Sequence, residues 1–367
     1  MKILVIMKRF GANKDMVLEN FGRQIRLFEP LAKKHIVHFF CPDYTKKESM
    51  IINQNRIKFI VRPVSLLSIT KFLKSVDSTI EHGKYDVIVA STDPLIGILG
   101  NYYSKKYKIP LVYDLQDNFE IYSAYKLPMV GYLDKNIVKE ANVVLTVSNE
   151  LKKYISNIRR KETYIVRNGI ELGLFKDINK IKARKKLNLP IKSKIMVYIG
   201  HMHKIKGAEL ILKAFNKVKE LYPDTYLLLS GKIDNSINIK QKNIIFKKFS
   251  KREEVVLGIN AADVAVLPNT LNKFTKYCFP YKLVEYMACN VPIVATDVGD
   301  VSSLLKKYKG SLCKPGDYKD LAEKIIKKFQ KNEKVNYKKD VANLTWEKLS
   351  QKLDYAVKRA VKSIKTK

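Results

Sequence analysis

The residues most able to do chemistry lie in one stretch of the second half of the chain, from Phe279 to Thr296. A proline opens a predicted helix there, and the helix carries one lysine and one glutamate, Lys282 and Glu285. A helix N-terminus beside a cation suits a phosphate, because exposed N–H groups and the helix dipole both attract an anion. A carboxylate one turn further in suits sugar hydroxyls. This combination indicates a nucleotide sugar or another phosphorylated polyol.

A second loop in the same half of the chain has the features of an anion site. Gly200 follows an apolar run, and Lys206 and Gly207 stand where an amphipathic helix begins. Glycine permits a close approach of the backbone to a ligand, and a lysine adds its charge to the helix dipole. His201 and His203 could instead indicate a metal. Neither a carboxylate nor a third histidine accompanies them nearby, and we therefore predict no metal site.

Both loops need strands to position them, and short apolar runs suited to strands recur along the chain. The predicted strands are Ile3–Met7, Ile36–Phe40, Lys58–Val61, Val87–Ala90, Leu111–Tyr113, Val143–Val147, Tyr164–Val166, Ile195–Ile199, Tyr226–Leu229, Ile244–Phe246, Val264–Leu267, Ile293–Ala295 and Ser311–Cys313. Continuous apolar runs are typical of strands buried on both faces of a parallel sheet, with helices such as 21–34 and 208–221 as crossovers. Ligands of such sheets bind at the carboxyl ends of the strands.

The order of these elements predicts an α/β protein with two doubly wound, Rossmann-like domains. A polar, lysine-rich stretch near residues 171–193 interrupts the series and indicates an interdomain linker. We therefore predict an N-terminal domain of residues 1–172 and a C-terminal domain of residues 173–345. The amphipathic segment at about 346–367 has no strand partner in the second half, which makes it a candidate to pack back on the first domain.

The N-terminal half contributes three further signals. Gly22 opens a predicted helix and either lets the backbone approach a ligand or serves a plain turn. Pro30 predicts a kink within that helix. Residues 65–80 predict an amphipathic helix, which could press on an anionic membrane or act as a crossover helix that faces its own sheet.

Composition excludes several classes of protein. The chain of 367 residues is 46% hydrophobic and has only 15 Gly and 12 Pro, as a folded globular protein would. No stretch approaches the roughly 18 to 20 apolar residues that cross a bilayer, and the N-terminus lacks the cleavage site of a signal peptide. Four scattered cysteines fit a reducing cytosol, and they suggest neither a metal cluster nor a disulfide framework.

The net charge of +35, from 70 Lys and Arg against 35 Asp and Glu, favours an anionic partner. A phosphate-bearing ligand and an acidic membrane face both fit. The lysines are spread along the whole chain, and a compositional bias explains them equally well. No aromatic and basic module accompanies the charge, and we therefore do not expect nucleic-acid binding.

Several motifs taken together resemble the retaining glycosyltransferases of family four, which have the GT-B fold. They lie at residues 85–89, 141–148, 168–171, 200–207, 229–231, 261–264 and 297–299, and the similarity extends over nearly the whole chain. The most specific are Lys206-Gly207 and the helix of Glu285, which follow in the family's order and at about its spacing. The resemblance implies two Rossmann-like domains facing across a cleft, the first on the acceptor side and the second binding a nucleotide sugar.

The resemblance also implies roles for individual residues. Lys206 matches the lysine that binds the donor diphosphate, Glu285 matches the glutamate that binds the donor ribose, and Gly22 matches the glycine of an N-terminal loop that faces the donor phosphates. The expected catalytic residues are Lys206, Lys282, Glu285 and His201. The expected donor-binding residues are Gly22, Gly200, Lys206, Tyr277, Cys278, Phe279, Lys282, Leu283 and Glu285. The expected acceptor residues are Asp117, Gln116 and Asp93.

Three positions depart from the pattern of the family. His201 stands where the family usually has arginine, Tyr277 where it has the first glutamate of a pair, and Gln116 where it has histidine before an aspartate. A histidine shares the charge of an oxyanion only when it is protonated. Lys282 could compensate from the start of its helix, and Tyr277 would help to orient the hexose.

The expected reaction is transfer of a hexosyl group from a nucleotide-diphosphate sugar, with retention, to a glycan or a polyprenyl or other lipid-linked acceptor. No metal or cofactor is expected, because cationic side chains and helix dipoles neutralise the leaving diphosphate. The protein would act in the cytoplasm or as a peripheral protein on the cytoplasmic face of the membrane. Two alternatives stay open: a nucleotide-sugar epimerase or hydrolase on the same fold, and a catalytically impaired protein that binds sugar nucleotides or polyanions.

Overall fold

The computed structural model describes residues 1–11, 14–331 and 335–365, which divide into two compact α/β units. One unit comprises Met1–Arg167 and the helix that begins at Trp346, and the other is Asn168–Thr345. The sequence pattern placed the division later, after residue 172. Hydrogen bonds connect the segment between these two divisions, residues 168–172, to the second unit. Asn168 donates from Nδ2 to the carbonyl oxygen of Phe279 at 2.6 Å, and the N–H of Ile170 donates to that of Leu344 at 2.9 Å.

The first unit is built on one large sheet, in which the order of the strands reverses at the first strand of the chain. In chain order its strands are β1 (Lys2–Ile6), β2 (Phe10–Gly11), β3 (Lys14–Asp15), β4 (Ile36–Asp43), β5 (Met50–Gln54), β6 (Ile57–Pro63), β7 (Val87–Ser91), β8 (Leu111–Leu115), β9 (Val143–Thr146) and β10 (Thr163–Ile165). Within the described residues, eight of them form the sheet in the order β10-β9-β8-β7-β1-β4-β6-β5, and β2 pairs with β3. Of these eight, only β5 runs antiparallel to its neighbour.

The helices of the first unit correct two predictions. They are α1 (Arg23–Leu31), α2 (Ile69–Gly83), α3 (Pro94–Tyr107), α4 (Val130–Glu140) and α5 (Asn149–Ser156). The helix predicted over 21–34 is shorter, and Pro30, where a kink was predicted, stands in its last turn. The helix predicted over 65–80 starts as a 3₁₀ turn at Leu66–Ser68 and continues as α2. Phe72, Val76 and Ile80 are buried, so that α2 is a crossover helix facing its own sheet.

The second unit is a smaller parallel sheet. Its strands are β11 (Lys194–Ile199), β12 (Thr225–Ser230), β13 (Ile244–Phe246), β14 (Val264–Leu267), β15 (Ile293–Thr296) and β16 (Leu312–Cys313). Its helices are α6 (Lys180–Lys186), α7 (Ala208–Leu221), α8 (Arg252–Asn260), α9 (Lys273–Tyr277), α10 (Tyr281–Ala288), α11 (Asp300–Leu305), α12 (Tyr318–Lys331) and α13 (Lys338–Ala342). The order β13-β12-β11-β14-β15-β16 reverses between β11 and β14, and ligands of doubly wound sheets bind at such a switch point.

The C-terminal helix α14 (Trp346–Lys365) packs on the first unit. Its apolar side chains, among them Leu349, Leu353 and Val357, join the core formed by the first sheet and α1. His35 Nε2 also lies 2.8 Å from an oxygen of Asp354 on this helix. Residues 366 and 367, at the end of the predicted segment, lie outside the described residues.

The strands predicted from apolar runs are all present, with ends that differ by a few residues. The prediction missed β5, an edge strand whose side chains alternate between exposed and half-buried, and the two-residue strands β2 and β3. Two doubly wound parallel sheets confirm the predicted α/β class. In the part of the chain that the structure describes, no helix is both long and apolar enough to cross a membrane.

Candidate functional site

The loop after β11 begins at a glycine that no other residue could replace without strain. Gly200 has φ +141°, and a Cβ there would lie 2.7 Å from Nζ of Lys282. The next strand confines the same loop, because a Cβ on Gly231 would lie 2.4 Å from the carbonyl oxygen of Gly200. The backbone of Gly200 is therefore closely packed, and the ammonium of Lys282 occupies the space where a side chain would stand.

Lys206 ends a short 3₁₀ turn, Lys204–Lys206, directly before helix α7. His203 caps this turn, since its Nδ1 accepts a hydrogen bond from the N–H of Ile205 at 3.2 Å. Gly207 has φ +80° and caps α7, which leads the chain from the lysine into the helix. Lys206 thus lies at the N-terminus of a helix, as predicted.

The loop after β14 is hydrogen-bonded to the lysine loop. The carbonyl oxygen of Ile205 accepts from Thr270 Oγ1 at 2.8 Å and from Asn272 Nδ2 at 2.9 Å. The ring centre of Phe274 lies 5.4 Å from Nζ of Lys206. Tyr277 is the last residue of the short helix α9 in this loop. These contacts hold the loops after β11 and β14 together at the switch point of the sheet.

Helix α10 brings the second lysine to the same place. Its buried Tyr286 accepts a hydrogen bond on the phenol oxygen from the N–H of Ile199, at 3.0 Å, which ties the helix to the end of β11. On the preceding turn, Nζ of Lys282 lies 3.9 Å from the ring centre of Tyr198. Glu285 follows one turn later and is half-buried, like Lys282. The two residues singled out from the sequence thus lie beside the lysine loop.

Burial shifts the charge of both residues towards the neutral form. It lowers the pKa of Lys282 to about 8, against a smaller opposing effect of Glu285. It raises the pKa of Glu285 to about 7, and the nearby Arg252 and Lys282 only partly offset that rise. Arg252 also lies 2.7 Å from a carboxylate oxygen of Glu171. The site is therefore poised to change its charge near neutral pH, as sites that bind charged ligands often are.

The structure argues against the raised pKa that His201 would need in order to act as a cation near neutral pH. Burial, followed by the charge of Lys206, lowers the pKa of His201, so that the ring is mostly neutral at pH 7. Its Nε2 is buried and has no hydrogen-bond partner among the described residues. A neutral imidazole with an N–H at this atom can still donate a hydrogen bond to an anion.

Three of the predicted donor-binding residues face the protein interior. The side chains of Cys278, Phe279 and Leu283 are buried. Phe279 also accepts on its carbonyl oxygen from Asn168. Their side chains therefore serve packing, and any contact with a ligand would come from their backbone. The thiol of Cys278 lies 3.7 Å from the carbonyl oxygen of Thr275 and behaves as a small buried hydrophobe.

In the first unit, the three predicted acceptor residues lie together. Asp93 caps α3, accepting from the N–H of Ile96 at 3.0 Å, and pairs with Nζ of Lys8 at 3.4 Å. Gln116 donates from Nε2 to the carbonyl oxygen of Thr92 at 3.1 Å. These residues stand at the carboxyl ends of β1, β7 and β8, where a doubly wound unit binds ligands.

Asp117 accepts a hydrogen bond from the hydroxyl of Tyr122 at 2.8 Å. The neighbouring Asn118 caps the following turn. Gly22, the remaining predicted residue of this unit, has φ +106° directly before α1. Its backbone requires glycine on conformational grounds, and its predicted contact with donor phosphates stays a prediction.

Tyr198, Asn272 and Arg252 belong to the site but were not singled out from the sequence. Tyr198 stands in an apolar strand run, where an aromatic residue ordinarily indicates the core. Asn272 and Arg252 lie far in sequence from the residues that they influence, and only the packing of the loops after β11 and β14 and of α8 brings them near. In the part of the chain that the structure describes, no group of three or more His, Cys, Asp or Glu side chains could hold a metal ion.

Comparisons with known families agree with this architecture. The family described as Glycosyltransferase Family 4 matches residues 25–174, and the family described as Glycosyl transferases group 1 matches residues 179–343. Together the two matches cover most of the first unit and nearly all of the second.

The individual proteins that this chain resembles share less than 30% of their residues with it. TuaC of Bacillus subtilis, named for teichuronic acid biosynthesis, is 29% identical over 60% of this chain and 54% of its own length. D-inositol 3-phosphate glycosyltransferase of Mycolicibacterium smegmatis is 24% identical over 72% of this chain and 64% of its own length. Capsular polysaccharide biosynthesis glycosyltransferase CapM of Staphylococcus aureus is 25% identical over 67% of this chain and 68% of its own length. The chain thus spans little more than half of the first relative and less than two thirds of the second.

Solved structures show the same fold. Sucrose-phosphate synthase from Thermosynechococcus elongatus has a TM-score of 0.77 at 18% identity and covers 99% of both chains. Anabaena HepE in complex with UDP and glucose has a TM-score of 0.72 at 20% identity, over 98% of this chain and 99% of its own. At these identities the similarity indicates the fold alone. With the family matches and the two parallel sheets, it leads to one conclusion: the chain belongs to the family-four, group 1 glycosyltransferases and has the GT-B fold.

Proposed function

We propose that this protein is a glycosyltransferase that moves a hexosyl group from a nucleotide-diphosphate sugar to a glycan or lipid-linked acceptor. One observation carries the proposal. Lys282 contacts the ring of Tyr198 at the switch point of the second sheet, the charge of Lys206 acts on the same tyrosine, and Glu285 follows one helical turn from Lys282. Two cations that act on one tyrosine, with a carboxylate one turn further for ribose hydroxyls, fit a nucleoside diphosphate.

The chemical contribution of these residues is electrostatic. As the bond between the sugar and the diphosphate breaks, negative charge builds on the leaving oxygen, and preorganised cations stabilise that charge. Lys206 and Lys282 would supply the charge, and His201 would add a hydrogen bond in its neutral form. On this proposal the reaction needs no metal and retains the anomeric configuration. Treatment with EDTA would then leave turnover unchanged, and NMR of the product would show the anomeric configuration of the donor.

The acceptor side of the proposal is drawn from the first unit. Asp117, Gln116 and Asp93 lie together at the carboxyl edge of its sheet and offer a carboxylate and an amide to an acceptor hydroxyl. The named relatives make or assemble glycans, or glycosylate inositol 3-phosphate. The names of these relatives support an acceptor that is a glycan, or a glycan carried on a polyprenyl or other lipid.

A lipid-linked acceptor would require contact with a membrane, and one surface suits that contact. Leu66 and Leu67 are 94% and 100% exposed in the turn before α2, and Lys71 and Lys74 are exposed on the helix beside them. Apolar side chains inserted among lipids, with lysines at anionic headgroups, bind a bilayer peripherally. This surface supports our proposal that the protein binds a membrane peripherally, on its cytoplasmic face.

Vesicle sedimentation tests this membrane contact. The protein should bind vesicles of anionic lipid at low salt, and a variant with both Leu66→Ser and Leu67→Ser should bind several-fold less. Leu221→Ser, at an exposed leucine of the second unit, is the matched control and should bind like the parent. Equal binding of all three proteins would show that the general positive charge, and not this turn, attracts the vesicles.

The activity itself is tested with donors. Thermal-shift measurements with UDP-, GDP- and ADP-sugars should find one class that raises the melting temperature, because a ligand of the folded state stabilises it. The UDP series comes first, since HepE binds UDP. A labelled donor of that class should then transfer its sugar to an acceptor from cell extracts. Consumption of the donor without any acceptor would favour a hydrolase or epimerase, and binding without turnover would favour an impaired binding protein.

A further inference from the structure

Tyr198 has an unusual position among the residues of the second unit. It is the second-last residue of β11, its side chain is 1% exposed, and its hydroxyl donates to the carbonyl oxygen of His201 at 3.0 Å. Nζ of Lys282 lies 3.9 Å from the centre of its ring, and the charge of Lys206 acts on its hydroxyl. The ring of Tyr198 thus contacts one of the two lysines, and its hydroxyl feels the charge of the other.

The contact with the ring is the closest one that stabilises the charge of Lys282. Among the described residues, no carboxylate lies within 4.0 Å of its ammonium, although Glu285 acts on it from a greater distance. Gly200 leaves the space above the ring open, because a Cβ there would lie 2.7 Å from Nζ and 3.1 Å from Cε of the lysine. A cation over the face of a tyrosine is attracted by the ring quadrupole, and more strongly when water is excluded.

We propose that Tyr198 is a positioning residue, whose ring holds the ammonium of Lys282 against the Gly200 loop, ready to meet the diphosphate of a nucleotide sugar. This inference rests on the proposed function for its ligand. The ring keeps a long, flexible side chain in one place and favours its charged form. The tyrosine hydroxyl has a separate task, since it braces the loop through His201.

The charge state of Lys282 provides a readout that a purely structural role would not move. Its pKa is lowered to about 8, and the titratable groups that act on it are Glu285 on its own helix, Cys278 in the loop before the helix, and the tyrosine of β11. A diphosphate prefers the protonated lysine, so that its affinity should fall as pH rises above about 8. Weakening the ring contact lowers the pKa further, and the fall should then begin at a lower pH.

The experiment measures the dissociation constant of UDP by calorimetry from pH 6.5 to 9.5. Tyr198→Phe keeps the ring and loses only the hydroxyl, and its affinity for UDP should begin to fall at the same pH as that of the parent. Tyr198→Met keeps apolar volume without a ring. It should bind UDP about tenfold more weakly at pH 8, and its affinity should begin to fall at a lower pH. Lys282→Met should remove this fall of affinity with pH. The proposal would be overturned if a folded Tyr198→Met variant bound UDP as tightly as the parent and its affinity began to fall at the same pH.

A second series covers the case in which Tyr198→Met does not fold. Phenylalanines with increasing fluorination, introduced at position 198, keep the shape of the ring and weaken its quadrupole in steps. The affinity for UDP should fall in the same order. Without ligand, each fluorinated protein should melt below Tyr198→Phe at pH 7, and the gap should close above pH 8 as Lys282 loses its charge. No graded change in either measurement would overturn the proposal, whereas a parent that binds no nucleoside diphosphate, with the melting gap intact, would overturn only the proposed function.

Discussion

Gly207 and Pro268 meet so closely that a Cβ on the glycine would lie 1.6 Å from the carbonyl oxygen of the proline. The lysine loop after β11 and the loop after β14 therefore pack backbone to backbone, with no room for a side chain. Because Lys206 directly precedes this contact, main-chain packing fixes where the backbone of the lysine lies. Several consequences for activity and stability can be measured.

Gly207→Ala should destabilise the protein strongly. It adds a left-handed backbone conformation, worth roughly 1–2 kcal/mol, to a backbone clash that the loops can relieve only by moving apart. Gly310→Ala is the matched control, since Gly310 has φ +72° and a Cβ there would meet nothing within 4 Å. The control should lower the melting temperature by about 2–4 °C, and Gly207→Ala by at least twice as much. Equal losses would mean that the contact with Pro268 is unimportant.

Lys206→Ala should reduce turnover by roughly 10²- to 10³-fold, as expected when a preorganised charge facing the leaving group is removed. Lys204→Ala is its control. Lys204 lies in the same 3₁₀ turn but is exposed and pairs with Glu209 at 3.3 Å. Steady-state kinetics with the donor found by thermal shift would check this. Unchanged turnover in Lys206→Ala would remove the diphosphate role of this lysine.

Glu285→Gln should separate stability from binding. The folded state raises the pKa of Glu285 to about 7, so that between about pH 4.5 and 7 the folded protein holds more protons than the unfolded chain. Stability from this group is therefore lost as pH rises through that range. At pH 8 the glutamine variant should melt roughly 2–4 °C above the parent, yet bind the donor more weakly because an amide is a poorer acceptor for ribose hydroxyls. A variant that melts like the parent at pH 8 as well as at pH 5 would contradict the raised pKa.

Asp117→Asn should weaken binding of the acceptor and leave binding of the donor unchanged. The amide still accepts the hydrogen bond from Tyr122 but has no negative charge to offer an acceptor hydroxyl. The KM for the acceptor should rise several-fold, with an unchanged dissociation constant for the donor. Asp86→Asn, which alters an exposed aspartate near the amino end of β7, is the control. A rise in the donor constant instead would move Asp117 out of the acceptor site.

Apolar runs and helix signals were enough to predict most of the fold. Strand β11 and helix α7 were recognised because continuous apolar residues and a helical repeat report burial directly. Strand β5 was missed although it contains the apolar run 50–52, because a run of three residues alone does not show that a segment pairs with the edge of a sheet. The second unit begins at Asn168 instead of residue 173, and Asn168 donates a hydrogen bond to Phe279, more than a hundred residues away in sequence.

The candidate site shows the same division. By itself the sequence determined that Lys206 and Lys282 stand near helix starts and that Glu285 follows one turn after Lys282, since local residue order decides those positions. Only the tertiary structure decided that Tyr198 lies under Lys282, that the charge of His201 is suppressed, and that Glu285 titrates near pH 7. The physical reason is that desolvation and ring contacts depend on which atoms the folded chain brings within a few ångströms, and residues distant in sequence supply those atoms.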